Sequence, residues 1–134
     1  MNILFCLTPK DKVIFLEPRM SLRQALEKME TISFTSIPIL NDDGKYIGTL
    51  CEGDILWFLK GEKTFDLKKL EKINIMELKR RRNPKPVDIN TNVEDIVEHL
   101  AENTFVPVQD DRELFIGIVT RKSIINYFNS IRSN

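Results

Sequence analysis

The feature that most restricts the fold of this chain is an internal repeat. Residues 35–59, TSIPILNDDGKYIGTLCEGDILWFL, align without a gap with residues 104–128, TFVPVQDDRELFIGIVTRKSIINYF. Six of the 25 aligned positions are identical, and most other apolar positions match in kind. Because a unit of ~50 residues buries too little surface to be stable alone, the duplication predicts two similar units packed face to face.

An amphipathic helix is predicted ahead of each aligned segment. In both places the apolar residues recur at i, i+3, i+4 and i+7, which puts them on one helix face. They are Leu22, Ala25, Leu26 and Met29 in the first copy and Val93, Ile96, Val97 and Leu100 in the second. Ser21 with Gln24, and Thr91 with Glu94, have capping-box spacing at the two helix starts. Each repeat is therefore predicted to run strand, helix, strand, turn, strand, helix, which is a mixed α/β fold class.

The predicted organisation is one compact module made of two repeats. The first repeat is expected at residues 1–60 and the second at 86–134, joined at 61–85 by a linker rich in Lys and Glu. Residues 41–44, NDDG, carry a strong hairpin-turn signal between two short strands. A chain of 134 residues with 42% hydrophobic content is long enough to bury a core of its own.

Composition argues against several partners and compartments. The 20 Lys and Arg residues balance the 20 Asp and Glu residues, so no overall charge draws the chain to nucleic acid or to an anionic membrane. The longest uncharged apolar stretches, residues 3–7 and 55–59, are far shorter than the ~20 residues of a membrane span. Without a basic region ahead of the first apolar run, we expect no signal peptide and a cytoplasmic location. The two cysteines form no C-x-x-C pair and are expected to be reduced thiols.

The duplicated pattern of apolar helix, hydrophobic-Pro-hydrophobic strand, acidic turn, Ile-Gly and second helix resembles the tandem cystathionine-β-synthase (CBS) domain, or Bateman module. The resemblance runs from about residue 11 to residue 128. It implies two β-α-β-β-α repeats packed about a pseudo-two-fold axis, with clefts that bind adenosine nucleotides. It also implies that modules pair into a homodimer.

The resemblance implies ligand contacts just after each Ile-Gly. The family's turn is similar to Gly-hydrophobic-x-Thr/Ser-x-x-Asp, with the hydroxyl near ribose or phosphate and the Asp accepting from the ribose hydroxyls. The first copy keeps Asp54 but has Cys51 in place of the hydroxyl, whereas the second keeps Thr120 but has Ser123 in place of the Asp. The two clefts are therefore expected to be unequal.

Further ligand-binding residues follow from the same resemblance. The adenine pocket is expected around the hydrophobic-Pro strands, at Thr35, Ile37, Pro38, Thr104, Val106 and Pro107. Phosphate is expected to bind the basic run Arg80, Arg81 and Arg82 and the second motif's Arg121, because arginine binds phosphate bidentately. A Thr-Arg-basic second motif without the Asp also resembles stand-alone bacterial CBS proteins that bind cyclic di-AMP. Cyclic di-AMP is thus the first ligand candidate, followed by AMP, ADP and ATP.

Each expected site residue has a structural alternative. Asp54 can instead be the N-cap of a helix at residues 55–59, a role that Ser also fills. The basic run at residues 80–82 can be a solvated stretch, and Cys51 a small buried residue rather than a reactive thiol. His99, the one histidine, lies off the apolar helix face and is expected to face solvent.

Three functions of different classes remain open at this point. The leading one is a nucleotide-binding regulatory module that modulates an unidentified partner protein. The alternative is a dimeric protein-interaction scaffold with vestigial clefts; binding to nucleic acid is disfavoured by the neutral charge. An enzyme is disfavoured because no nucleophile-base pair, metal-ligand cluster or phosphate loop is visible, so no catalytic residue, metal or cofactor is expected.

Overall fold

The computed structural model describes residues 1–32 and 35–132 and has the expected mixed α/β character. The helices are α1 (Leu22–Glu30), α2 (Glu52–Glu62), α3 (Leu67–Leu70), α4 (Val97–Glu102) and α5 (Arg121–Arg132). The strands are β1 (Leu7–Pro9), β2 (Ser36–Leu40), β3 (Tyr46–Cys51), β4 (Val87–Asp88), β5 (Phe105–Gln109) and β6 (Phe115–Thr120). Across these two described ranges, no helix has both the length and the apolar character to cross a membrane.

The chain divides into two compact units, each discontinuous in sequence. The first unit comprises Ile14–Asp42 and Ile47–Asn83, and the second comprises Met1–Val13, Asp43–Tyr46 and Pro84–Asn134. These bounds differ from the predicted repeats at residues 1–60 and 86–134 with a linker at 61–85. Residues 1–13 belong with the second copy, and most of the linker belongs with the first.

The first unit packs α1 against the small sheet of β2 and β3. Leu22, Ala25 and Met29 are buried and Leu26 is half-buried, as the helical spacing predicts. The Ser21 and Gln24 capping box is confirmed, since each side chain accepts a hydrogen bond from the other residue's backbone N–H, at 3.2 and 2.9 Å. Local sequence signals therefore account for this helix.

The predicted first strand of this unit is reduced to one residue. Leu16 pairs in parallel with Ile39 as an isolated bridge. The Leu16 N–H donates to the Pro38 carbonyl, and the Leu16 carbonyl accepts from the Leu40 N–H, both at 2.9 Å. The Leu16 side chain is fully buried in the core of the unit.

The connector after α2 completes the same core. It contains α3 and a short 3-10 helix, Ile75–Glu77. Leu70, Ile75 and Leu78 are each at most 3% exposed and contact the core that contains Leu16. The predicted linker is thus ordered and bound to the first unit over its length up to Asn83.

The second unit contains a four-stranded sheet in the order β1-β6-β5-β4. The strand β5 is antiparallel to β6 and parallel to β4, which reproduces the predicted strand, helix, strand, turn, strand order. The strand β1 from the N-terminal segment lies antiparallel to β6, with Leu7 opposite Val119 and Pro9 opposite Gly117. The repeat alignment contains no signal for this last pairing.

The predicted capping box at Thr91 and Glu94 is wrong. A 3-10 turn occupies Val93–Asp95, and α4 begins only at Val97, which is 51% exposed. The N-terminal segment takes the backbone groups that a helix start would use: Val93 N–H donates to the Met1 carbonyl at 2.8 Å, and the Thr91 carbonyl accepts from Ile3 N–H at 3.1 Å. Tertiary pairing therefore replaces local capping here.

Candidate functional site

The junction between β3 and α2 carries the acidic residue singled out by the sequence. The strand ends at Cys51, which is the N-cap of α2 with an extended backbone, so Asp54 is the third residue of the helix and not its N-cap. Asp54 is only 4% exposed, and its Oδ2 accepts a hydrogen bond from the Cys51 N–H at 3.0 Å. A carboxylate in the first turn also complements the positive end of the helix dipole.

The second carboxylate oxygen of Asp54 holds the connector. Asp54 Oδ1 accepts from the Arg81 N–H at 3.1 Å. Two residues later, Asn83 Oδ1 accepts from the N–H of the buried Thr49, at 3.0 Å. Residues 80–83, which we call the arginine connector, are therefore fixed against the β3–α2 junction by two hydrogen bonds.

The three arginines of this connector lie around the junction. A Cβ at Gly48 would lie 2.8 Å from Arg80 Nη1, and that guanidinium also donates to Met76 Sδ at 3.5 Å. The Arg81 guanidinium lies 5.7 Å from the centroid of the Trp57 ring, and Lys60 approaches the same ring at 5.5 Å. Arg82 is exposed and acts electrostatically on Cys51.

The hydrophobic-Pro strand of the first unit offers mainly backbone to a ligand. Ile37 and Pro38 are buried in β2, so their side chains belong to the core. Thr35 is exposed and directly precedes β2. Its carbonyl accepts from the Glu52 N–H at 2.9 Å, which holds the start of this strand beside the start of α2. The structure thus brings together the predicted Thr35, Cys51 and Asp54 with the arginines, while their contact with a ligand stays a prediction.

In the second motif, residues 117–123, the polar side chains form hydrogen bonds at helix ends. Ser123 Oγ accepts from the Thr120 N–H and Thr120 Oγ1 accepts from the Ser123 N–H, both at 3.0 Å, which forms a complete capping box at α5. Arg121 donates through its guanidinium to the carbonyls of Leu100 and Ala101, in the last turn of α4. The predicted phosphate ligand Arg121 is therefore engaged as a cap of a helix C-terminus.

The remaining predicted positions in the second unit follow the pattern of the first. Val106 and Pro107 are buried in β5, and Thr104 is exposed just before its start.

His99 is exposed, as expected. Among the described residues, no cluster of His, Cys, Asp or Glu side chains is arranged to hold a metal ion.

A separate cavity of about 700 Å³ lies at the start of α1, away from these motifs. Its lining carries both signs of charge, and Arg23 forms ion pairs with both Glu27 and Glu71. Arg19 likewise pairs with Glu17 and with Asp42. Both arginines of this lining are therefore already paired with carboxylates.

The chemistry of Cys51 follows from its position beside Asp54. Burial, and then the Asp54 carboxylate, raise the pKa of the Cys51 thiol, while the Ser36 hydroxyl and Arg82 act in the opposite direction. The net pKa lies above the ordinary value of 9.0, so Cys51 is a neutral thiol at physiological pH.

This pKa predicts slow alkylation of Cys51. Because the thiolate is the nucleophile and a raised pKa delays its formation, labelling by iodoacetamide should be slower than that of N-acetylcysteine at pH 7–8. The rate should rise as the pH passes through and above the ordinary cysteine value of 9.0. Peptide mass spectrometry separates Cys51 from the buried Cys6. Reaction of Cys51 faster than N-acetylcysteine at pH 7 would contradict this assignment.

Comparison with known proteins identifies the family. A family model for the CBS domain matches the chain twice, over residues 6–61 and 75–130. The chain belongs to the CBS-domain family. This CBS protein is 27% identical over 124 residues to cyclic di-AMP receptor B of Bacillus subtilis strain 168, covering 92% of this chain and 84% of the receptor.

Solved structures of other proteins have the same fold. A hypothetical conserved protein from Geobacillus kaustophilus superposes with a TM-score of 0.87 at 25% identity, covering 97% of each chain. The CbpB protein of Listeria monocytogenes, solved in complex with cyclic di-AMP, superposes with a TM-score of 0.79 at 26% identity, covering 95% of this chain and 94% of that one. The family resemblance carried by the repeats is thereby confirmed.

Proposed function

We propose that this CBS protein is a regulatory module that binds an adenine nucleotide at the β3–α2 junction of the first unit. Cyclic di-AMP is the leading ligand, with AMP, ADP and ATP as the other candidates. The observation that carries the proposal is the gathering of Arg80, Arg81 and Arg82 around a buried carboxylate at a helix start. Its relatives include a cyclic di-AMP receptor and a CBS protein solved with cyclic di-AMP, which supports this choice of ligand.

Each part of a dinucleotide has a matching group at this junction. The guanidinium groups of the connector bind phosphate oxygens through charge-assisted, bidentate hydrogen bonds. Asp54 keeps further lone pairs beyond those that accept from Cys51 and Arg81, and these accept from ribose hydroxyls. The exposed Thr35 and the backbone of β2 pair with the edge of the base.

The proposed output is regulation of another protein in the cytoplasm, without catalysis and without a cofactor. Ligand binding stabilises one conformation of the module and so changes the surface that the partner protein meets. We further propose that the module is a homodimer. Exposed apolar residues on α5, namely Ile125, Phe128 and Ile131, are available for such an interface.

Thermal unfolding in the presence of a nucleotide panel tests the function. The panel contains AMP, ADP, ATP and cyclic di-AMP, with cyclic di-GMP as a control of equal charge and a different base. A ligand at ~100 times its Kd stabilises the folded state by about 2.7 kcal/mol, which raises Tm by several degrees. We expect cyclic di-AMP to raise Tm and cyclic di-GMP to leave it unchanged. If no nucleotide shifts Tm at millimolar concentration, the interaction-scaffold alternative replaces this proposal.

A further inference from the structure

We infer that Asp54 and Asn83 are positioning residues, which hold the arginine connector in the geometry that binds phosphate. The inference rests on the proposed function and assigns Asp54 a role beyond contact with ribose. It also assigns a role to Asn83, which no sequence motif marks. The inference rests on two hydrogen-bonded anchors, formed by the Asp54 and Asn83 side chains, and on the arginines next to them.

The first anchor is the Asp54 carboxylate. Its two oxygens accept from two backbone N–H groups that are far apart in sequence, Cys51 on the strand side and Arg81 in the connector. Asp54 is 4% exposed, so its carboxylate has little access to competing water. In the second motif, the Ser123 hydroxyl forms hydrogen bonds only to Thr120 within the described part of the chain. An acid at position 54 thus does what the serine cannot, because its second oxygen holds another segment of chain.

The second anchor is the Asn83 side-chain amide. Its oxygen accepts from the Thr49 N–H at 3.0 Å, and its nitrogen donates to the Arg80 carbonyl at 3.2 Å. One side chain therefore closes the connector on itself and fixes it to β3. Thr49 is 2% exposed, so Asn83 also satisfies an N–H that has little access to solvent.

The anchors determine where the guanidinium groups lie. Arg81 is held at its own backbone N–H, and its guanidinium packs against the Trp57 ring. Arg80 accepts at its carbonyl from the Asn83 side-chain amide, and its guanidinium lies beside Gly48 and Met76. Fixing long side chains before a ligand arrives reduces the ordering cost of binding, so anchored arginines bind phosphate more tightly than the same arginines on a loose segment.

Fluorescence of Trp57 tests the anchoring without any ligand. Trp57 is the single tryptophan of the chain, and Arg81 lies over its ring. The variant Asp54→Ser keeps a helix cap of the kind found at Ser123 but loses the second oxygen, and Asn83→Ala removes the other anchor. We expect both to change the Trp57 emission toward that of Arg81→Ala, and Ser123→Ala to match the wild type. Wild-type emission from both anchor variants would overturn the inference.

Binding of a phosphate compound without ribose separates positioning from ribose contact. Cyclic di-AMP and inorganic tripolyphosphate are titrated into the wild type, Asp54→Ser and Asn83→Ala. Positioning predicts that each variant weakens both compounds by about tenfold, which corresponds to ~1.4 kcal/mol. If Asp54→Ser weakens cyclic di-AMP alone and Asn83→Ala weakens neither compound, the inference is overturned while the proposed function stands. Circular dichroism melting of each variant verifies that it is folded.

Discussion

Replacement of Gly117 by alanine is expected to lower the free energy of unfolding by about 3–5 kcal/mol. Gly117 lies in β6 opposite Pro9 of β1 and has a φ of 154°, which L side chains rarely adopt. An added Cβ would lie 2.2 Å from the Thr8 carbonyl oxygen and 3.1 Å from the Pro9 Cα. Because both neighbours are backbone atoms, β1 must move off β6 to make room.

Chemical denaturation of Gly117→Ala measures this loss, and the repeat supplies its control. Gly48 occupies the matching position of the first copy, but its backbone lies outside the positive-φ region. A Cβ there meets side-chain atoms only, Arg80 Nη1 at 2.8 Å and Asn83 Oδ1 at 3.0 Å. We expect Gly48→Ala to cost less than Gly117→Ala, because side chains adjust to an added methyl group more readily than a paired strand does. Equal losses from the two variants would contradict the close β1–β6 pairing.

Leu16→Ala is expected to lower the free energy of unfolding by about 2–5 kcal/mol, because it leaves a cavity in the core of the first unit. Leu16 is 0% exposed, and its backbone is held between Pro38 and Leu40. Since the backbone bonds survive the change, the loss reports side-chain packing. For a chain of this length Tm should fall by roughly 6–15 °C. Ile14, two residues earlier and 42% exposed, is the control, and Ile14→Ala should change Tm by less than about 2 °C. A similar fall for both variants would contradict the assignment of Leu16 to the core.

Features specified by neighbouring residues could be predicted from the sequence. The capping box of Ser21 and Gln24 and the buried face of α1 depend on contacts within one or two helical turns. The turn after β2 depends on Gly44, whose φ of 79° suits glycine. Because the whole pattern is duplicated, the sequence also carries enough information to identify the family.

Features that depend on distant segments could not be predicted from local patterns. The three-residue strand β1 pairs with β6, more than 100 residues later, and the same N-terminal segment displaces the predicted cap at Thr91. The hydrogen bonds from the Arg121 guanidinium to carbonyls at the end of α4 likewise have no signal in the local sequence, while its contact with phosphate stays a prediction. Tertiary packing determines these hydrogen-bond partners, so they cannot be predicted from a single sequence.

The arrangement of the candidate site also depends on contacts between distant segments. The motif marked Asp54 as a residue of interest, and the basic run marked the arginines. Their association depends on the Arg81 N–H reaching Asp54 and on Asn83 reaching Thr49. Asn83 has no charge and no motif around it, so its adjacency to the basic run was the one available signal.

The most direct test of the account is calorimetric titration of cyclic di-AMP into three forms of the protein. These are the wild type, a variant with Arg80, Arg81 and Arg82 changed to alanine, and a control with Lys68, Lys69 and Lys72 changed to alanine. The control removes the same charge from exposed positions of the same unit. The account predicts saturable binding to the wild type, an affinity within about twofold for the lysine control, and at least ~100-fold weaker binding to the arginine variant. Wild-type affinity in the arginine variant, or no binding to the wild type at millimolar ligand, would contradict it.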